Sequence, residues 1–311
     1  MSELHRPVLL EETVALVSGG DRVREGVYVD ATFGRGGHTR RLLDRLGAGS
    51  RVLALDRDPE AVAAGQVLAE RDRRLQVVHG NFADLEAILD RLGIDEVQGV
   101  MMDLGVSSPQ LDDPRRGFSF RYDAPLDMRM DTEQDTTAAD WLNSADEQDI
   151  AVALRDLGEE RYARRIAAAI VRARPLATTA ELVEVVRGAQ PRTTPGKHPA
   201  TRVFQAVRMA VNGELEALQA GLQAAFACLA PGGRLAVISF HSLEDRLVKR
   251  CFAELSSPPP LPRRLPVRGP AVLPRARRVG APVTPPPAEL EANPRARSAR
   301  LRVLEKLEAA S

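Results

Sequence analysis

Three aspartates close short apolar runs: Asp30 after Val27-Tyr28-Val29, Asp56 after Leu53-Ala54-Leu55, and Asp103 after Val97 to Met102. The first leads into a glycine-rich turn, Ala31-Thr-Phe-Gly34-Arg-Gly36-Gly37-His38. Glycines between a strand and its helix let the backbone turn tightly and approach a ligand closely. Asp56 stands 22 residues after Gly34, where an acid can accept hydrogen bonds from both ribose hydroxyls of a nucleoside cofactor. A nicotinamide dinucleotide and S-adenosylmethionine both meet that description. The dinucleotide fingerprint GxGxxG wants glycine at 39, where Thr39 stands. Asp30 before the turn also suits the amino group of a methionine moiety better than a pyrophosphate. S-adenosylmethionine is therefore the favoured reading, with a nicotinamide-dependent oxidoreductase as the alternative. A P-loop is not supported, because no Lys-Ser/Thr pair follows the glycines.

Asp103 opens a second polar segment, Asp103-Leu-Gly-Val-Ser107-Ser108-Pro109-Gln110-Leu111. Ligands of open α/β sheets bind outside the carboxyl ends of the strands, so this loop is expected to face the same crevice as the glycine turn. Its Ser-Pro step is similar to the (Asp/Asn/Ser)-Pro-Pro-aromatic loop of amino-group methyltransferases. Gln110 and Leu111 replace the second proline and the aromatic, with Phe118, Phe120 and Tyr122 nearby as substitutes for stacking or as plain packing. Asp103, Ser107 and Ser108 are the candidates for handling the acceptor and its proton, with His241 as an outside candidate. Methylation at carbon 5 of a pyrimidine needs a thiolate nucleophile. Cys228 and Cys251 sit in helical patterns on either side of a later strand, so both read as ordinary thiols and an exocyclic nitrogen is the better acceptor. No metal-ligating cluster is visible.

These residues need a scaffold, and residues 27–103 supply one by alternating short apolar runs with helical patterns, the rhythm of βαβ units. Strands are expected at 27–30, 51–55, 75–78 and 97–102, in parallel order. Helices are expected at 38–46, 59–70 with Pro59 near the first turn, and 85–92. After Asp103 the rhythm breaks. Residues 105–131 are polar and turn-rich, and the next hundred lack β-like runs. Ser144-x-x-Glu147 reads as a capping box before Ile150 to Leu157, and residues 162–172 and 182–186 have helical spacing. Helices near 200–211 and 214–229 flank Asn212-Gly213 and lead to a strand over 234–240. A short helix from Glu244 follows. Residues 256–287 hold 11 of the chain's 22 prolines and read as an extended loop, since proline removes backbone donors. Residues 299–304 are expected to close the sheet edge. The fold class is thus α/β, with one discontinuous domain over 1–114 and 211–311 and an inserted helical domain over 115–210.

Composition sets the outer limits. The chain has 311 residues, 44% hydrophobic and 28% charged, with 43 basic and 43 acidic residues, which excludes a disordered or fibrous protein. No apolar run reaches membrane-spanning length and the first residues carry charges where a signal peptide would be apolar, so a cytoplasmic location without membrane contact is expected. The zero net charge hides an asymmetry. Residues 246–311 hold 14 Lys/Arg against 5 Asp/Glu, while residues 1–245 hold 29 against 38. A basic tail is either a nucleic-acid contact or a solvated charge run. The arginines of the insertion, Arg161, Arg164, Arg165, Arg172 and Arg174, carry the same two readings.

Several strings together resemble one family: Phe33-Gly-Arg-Gly-Gly-His38, Leu55-Asp-Arg-Asp-Pro59, Asp103 to Leu111, Arg116-Gly-Phe-Ser-Phe120, Leu126-Asp-Met-Arg-Met130, His198-Pro-Ala-Thr-Arg202 and Ser239-Phe-His-Ser-Leu-Glu-Asp-Arg246. In order, and from His5 to Ser298, they are similar to the ribosomal RNA small subunit methyltransferase H, or MraW, family. The resemblance implies a Rossmann-like class I S-adenosylmethionine-dependent methyltransferase sheet. It also implies methyl transfer to the N4 amine of a cytidine in the decoding (P-site) region of 16S ribosomal RNA, as part of the small ribosomal subunit. The implied cofactor contacts are Gly36, Gly37, His38, Asp56, Phe82, Asp103 and Gln110. The proline- and arginine-rich length of 256–287 is not carried over, and the oligomeric state is open between monomer and homodimer. The alternative outside enzymology is an RNA-binding or assembly protein that keeps the fold without turnover.

Overall fold

The computed structural model describes residues 7–191, 198–258 and 273–308. The chain divides into two compact units, one of Met1–Gly105 with Glu216–Ser311 and one of Val106–Leu215.

In the first unit, helix α1 (Leu10–Val17) precedes β1 (Val27–Asp30), α2 (Gly37–Arg45), β2 (Arg51–Asp56), α3 (Pro59–Ala69), β3 (Leu75–His79), α4 (Leu85–Arg91) and β4 (Val97–Asp103). These four strands have the expected positions. Asp58 caps α3 by accepting from Glu60 N at 3.0 Å, with Pro59 in the first turn, where its missing N–H costs nothing.

The second unit holds α5 (Ser108–Asp112), α6 (Ala138–Ser144), α7 (Glu147–Asp156), α8 (Ala163–Ala173), α9 (Thr179–Ala189) and α10 (Thr201–Asn212). It contains no named strand among the described residues. The capping box expected from Ser144 is not formed. Ser144 ends α6 and donates its hydroxyl to Asp140 O at 2.7 Å, while Asp146 takes the N-cap position of α7. Capping boxes form instead at Thr137 with Asp140, one helix earlier, and at Thr178 with Glu181 on α9.

Helix α11 (Glu214–Cys228) leads into β5 (Leu229–Ser239), α12 (Ser242–Leu255), β6 (Ala276–Arg278), α13 (Pro287–Ala292) and β7 (Arg300–Lys306). Strand β5 begins five residues before its expected start, because Leu229 already pairs with Val97 ahead of a register shift and the Gly232 turn, φ +76°. The helix read as short is 14 residues long. The 256–287 stretch is not loop throughout: Ala276–Arg278 is a strand, paired only with β7 and so at an edge, where neighbouring prolines are tolerated. Residues 259–272 of that stretch lie outside the described residues. Strand β7 is consequently interior rather than terminal.

The sheet order is β3-β2-β1-β4-β5-β7-β6, with β1 to β5 parallel and β7 antiparallel to both neighbours. This is the expected Rossmann-like arrangement. Its order reverses between β1 and β4, and that switch point is where such sheets bind ligands. Period-two side chains divide between two cores. Val29, Leu53, Leu55, Met102, Leu235 and Val237 pack with residues of α4, α11 and α12, whereas Tyr28, Val52, Ala54, Met101, Ala236 and Ile238 pack with α1, α2 and α3. Both faces are covered, which is why the strands read as nearly continuous apolar runs. The helical unit has its own core around Leu142, Ile150, Ile166, Ile170, Val186 and Phe204. Among the described residues no helix is long and apolar enough to cross a membrane.

Candidate active site

The adjacent strands β2, β1 and β4 end at their carboxyl edge in Asp56, Asp30 and Asp103. Parallel register forces this convergence, since Asp30 pairs with Ala54 and Met101. Backbone bonds hold the following turn across the strand ends: Ala31 N donates to Met101 O at 2.9 Å and Phe33 N to Leu55 O at 2.8 Å.

Asp30 is 2% exposed. Its Oδ2 accepts from Thr39 Oγ1 at 2.6 Å and its Oδ1 from Thr32 N at 3.2 Å. Thr39, which occupies the third glycine position of the dinucleotide fingerprint, thus has a use of its own. Burial raises the Asp30 carboxyl to about 6 against the lowering effect of these bonds. Asp56 accepts from Gly34 N at 2.7 Å through Oδ2 and from Asp58 N at 2.9 Å through Oδ1. Burial nevertheless raises it as well. The Arg57 backbone also bonds this carboxylate, against the effect of burial.

Asp103 is the least satisfied of the three. Its N–H donates to Thr32 Oγ1 at 2.6 Å, but side-chain Oδ1 is sealed from solvent without a hydrogen-bond partner. Oδ2 lies 3.7 Å from His38 Nδ1, beyond hydrogen-bond length. Burial, then the charges of Asp30 and Glu244, push the Asp103 carboxyl up to about 8. His38 is 7% exposed and its Nε2 has no hydrogen-bond partner. Burial, only partly offset by a bond to the Val8 backbone, lowers its pKa to about 4. The ring is neutral at pH 7 and brings no positive charge to the aspartates.

The glycines of the turn have separate reasons. Gly34, φ +56°, has open space where a side chain would point. Gly36, φ +71°, is the N-cap of α2, and a Cβ there would meet the Phe33 ring at 2.5 and 2.6 Å. On Gly37 a Cβ would run into the Pro7 ring. Gly36 and Gly37 are therefore required by packing, and Gly34 is the one that leaves room for a ligand.

Phe82 opens a short 3-10 turn capped by Asn81, whose Oδ1 accepts from Ala83 N at 3.0 Å. Its ring lies against Gly221 of α11. At the end of β5, His241 caps α12 through Nδ1, which accepts from Glu244 N at 3.4 Å. Glu244, 3% exposed, returns Oε2 to Phe240 N at 2.8 Å and His241 N at 3.2 Å. His241 Nε2 is 3.1 Å from Glu244 Oε1 without hydrogen-bond alignment.

Ser107, Ser108 and Gln110 belong to the helical unit. There Gln110 is buried and its Oε1 accepts from Ser107 N at 2.9 Å, capping α5. Phe118 is buried in that unit's core, Phe120 stacks on His198 at 4.3 Å, and Tyr122 is 57% exposed. The first two are packing residues. Neither cysteine is an activated thiol: burial raises both, Cys251 to about 11.

A family model, the MraW methylase family, matches residues 2–307. The chain is 54% identical over 306 residues to a ribosomal RNA small subunit methyltransferase H of Azoarcus sp. (strain BH72), covering 97% of this chain and 96% of that one. It is 51% identical over 311 residues to the protein of that name in Dechloromonas aromatica (strain RCB), covering 98% and 99%. The chain belongs to the MraW methylase family. MraW methylases are S-adenosylmethionine-dependent methyltransferases, and the site fits that donor. Three carboxylates on neighbouring strand ends, one with an orphaned buried oxygen, have no cationic partner among the described residues, and the donor carries an ammonium and a sulfonium.

Sequence reasoning missed Thr32, Thr39 and Glu244. A hydroxyl in place of the third glycine was the available signal for Thr39. For Glu244 it was the His241-x-x-Glu244 spacing before Leu247-Val248, obscured because histidine is an unusual N-cap.

Proposed function

We propose that this MraW methylase transfers a methyl group from S-adenosylmethionine to the N4 exocyclic amine of a cytidine in the decoding region of 16S ribosomal RNA. The coarser part, a small-subunit ribosomal RNA methyltransferase, follows the names of its relatives. The observation that carries the reading is the cation-free group of Asp30, Asp56 and Asp103 with its raised carboxyl pKa values. Their mutual repulsion is relieved when a positive ligand enters.

Asp56 is assigned to the ribose hydroxyls, the first turn of α2 at Gly36, Gly37 and His38 to the methionine end, and Phe82 to the adenine face. Asp30 is assigned to the amino end, and Asp103 and Gln110 to contacts from the end of β4 and the segment that follows it. Bound S-adenosylmethionine supplies a methyl already activated on sulfur, so alignment and exclusion of water are the main tasks left to the protein. Cytidine N4 is a weak nucleophile because its lone pair is delocalised into the ring. Acceptors that bond its hydrogens restore lone-pair character and can take the proton afterwards. Asp103, Ser107 and Ser108 are assigned that role. A protonated Asp103 cannot perform it. A neighbouring positive charge lowers the carboxyl pKa and readies it as a carboxylate. The raised thiol pKa values of Cys228 and Cys251 favour nitrogen over carbon 5 as the acceptor.

The test is transfer of tritiated methyl from S-adenosylmethionine to small subunits from a strain without the activity. Ribonuclease-sensitive label is expected. Tight calorimetric binding of S-adenosylmethionine without any label would replace this reading with a non-catalytic RNA-binding or assembly role.

A further inference from the structure

On that reading the RNA must be held while one base leaves its stack. Several of the described basic side chains are already engaged. In the tail, Arg302 pairs with Asp245 at 2.7 Å, Arg300 approaches the same carboxylate at 3.5 Å, and Arg277 pairs with Glu305 at 2.7 Å. Arg275 lies over the Phe226 ring at 5.1 Å, and Lys306 donates to two backbone carbonyls. In the helical unit, Arg174 donates to the carbonyls of Leu142 and Ala145. Arg155 and Arg187 have carboxylate partners.

Helix α8 is different. Ala163, Ile166, Ala167 and Ile170 bury one face. Arg164, Arg165 and Arg172 are exposed and lie on the other, the last two being seven residues apart and so almost in line. Arg161, also exposed, precedes the N-cap and places its guanidinium 5.7 Å from the centre of the Tyr162 ring. None of the four has a carboxylate partner among the described residues.

Helix stability does not account for this arrangement. Arg164 and Arg165 stand in the first turn, which contains no acidic residue, at the end where the helix dipole disfavours cations. All four are arginines, whose planar forks match phosphate oxygens in pairs.

We propose that the outer face of α8, carrying Arg161, Arg164, Arg165 and Arg172, docks the phosphodiester backbone of the ribosomal RNA substrate. This rests on the reading of ribosomal RNA as acceptor. Backbone contacts fix position without reading sequence, so the strip contributes affinity and salt dependence rather than the choice of base.

The test compares wild type with Arg164→Gln/Arg165→Gln/Arg172→Gln in binding to small subunits and to deproteinised small-subunit RNA over 50 to 200 mM KCl, concentrations on the order of those that resolve a salt slope. Three lost contacts should weaken RNA binding about tenfold or more and flatten log K against log salt by roughly two to three. Binding of S-adenosylmethionine should be unchanged. If the triple variant fails to bind the donor, Arg172→Gln alone should flatten the slope by about one. Wild-type slope and affinity in the variants would overturn the proposal, as would weakened binding to subunits but not to naked RNA, which would point to a protein partner. Absence of salt-dependent RNA binding by the wild type would instead remove the ribosomal RNA reading.

Discussion

Asp103 carries the account at the scale of the residue. Its carboxyl is raised to about 8 by burial and by Asp30 and Glu244. An acid whose folded pKa exceeds its unfolded value holds its proton more tightly when folded, so it stabilises fully below the unfolded pKa and loses that contribution as pH rises to the folded one. Asp30, raised to about 6, acts in the same direction over a narrower window. His38, lowered to about 4, acts oppositely, costing stability as pH falls below its unfolded value. Above pH ~6.5 Asp103 is the one of these three still titrating. Without cofactor, the wild-type melting temperature should therefore fall between pH 6.5 and 8, and Asp103→Asn should flatten that fall. Equal slopes for the two proteins would place the proton elsewhere. The aspartates themselves were legible because each ends an apolar run. Their state was not, because burial and the company of Glu244 are products of the tertiary fold.

At the scale of the element, the strand ends are only as well placed as the helices behind them. Phe82 is set by α11, where Gly221 leaves room for its ring. A Cβ at 221 would lie 3.1 Å from ring Cε2 and 3.2 Å from the Phe82 carbonyl oxygen, and closer still to Cδ2. Gly221→Ala gains about 1 kcal/mol in helix propensity. Overpacking costs about 1–3 kcal/mol, and the backbone carbonyl cannot swing aside as a side chain can. The variant should melt lower and bind S-adenosylmethionine more weakly, read by thermal denaturation and calorimetry. Unchanged affinity would detach Phe82 from the cofactor. Strands β1, β2 and β4 were readable because both of their faces are largely buried, and the edge strand β3 by its apolar Leu75, Val77 and Val78. The 276–278 strand was not, since proline density around it argued for loop and only its pairing with β7 makes it a strand. The early start of β5 was hidden by Gly232-Gly233, which reads as a terminator and is a bend.

At the scale of the whole molecule, the charge asymmetry of the sequence is partly consumed by pairing within the described tail. Arg277, Arg300 and Arg302 of the described tail neutralise Glu305 and Asp245 of their own unit. Linear charge counting cannot see such pairs, because Arg302 and Asp245 are 57 residues apart. Among the described residues, α8 gathers exposed arginines without carboxylate partners on one helix. Two units with separate cores thus carry separate parts of the proposed reaction, the sheet holding the donor and the α8 strip holding RNA backbone. The central claim is that nitrogen, not carbon, receives the methyl. Its most direct test is mass spectrometry of nucleosides from small-subunit RNA labelled by this protein, run beside N4-methylcytidine and 5-methylcytidine standards. The account predicts label in a nucleoside that co-elutes with N4-methylcytidine; label in 5-methylcytidine would contradict it.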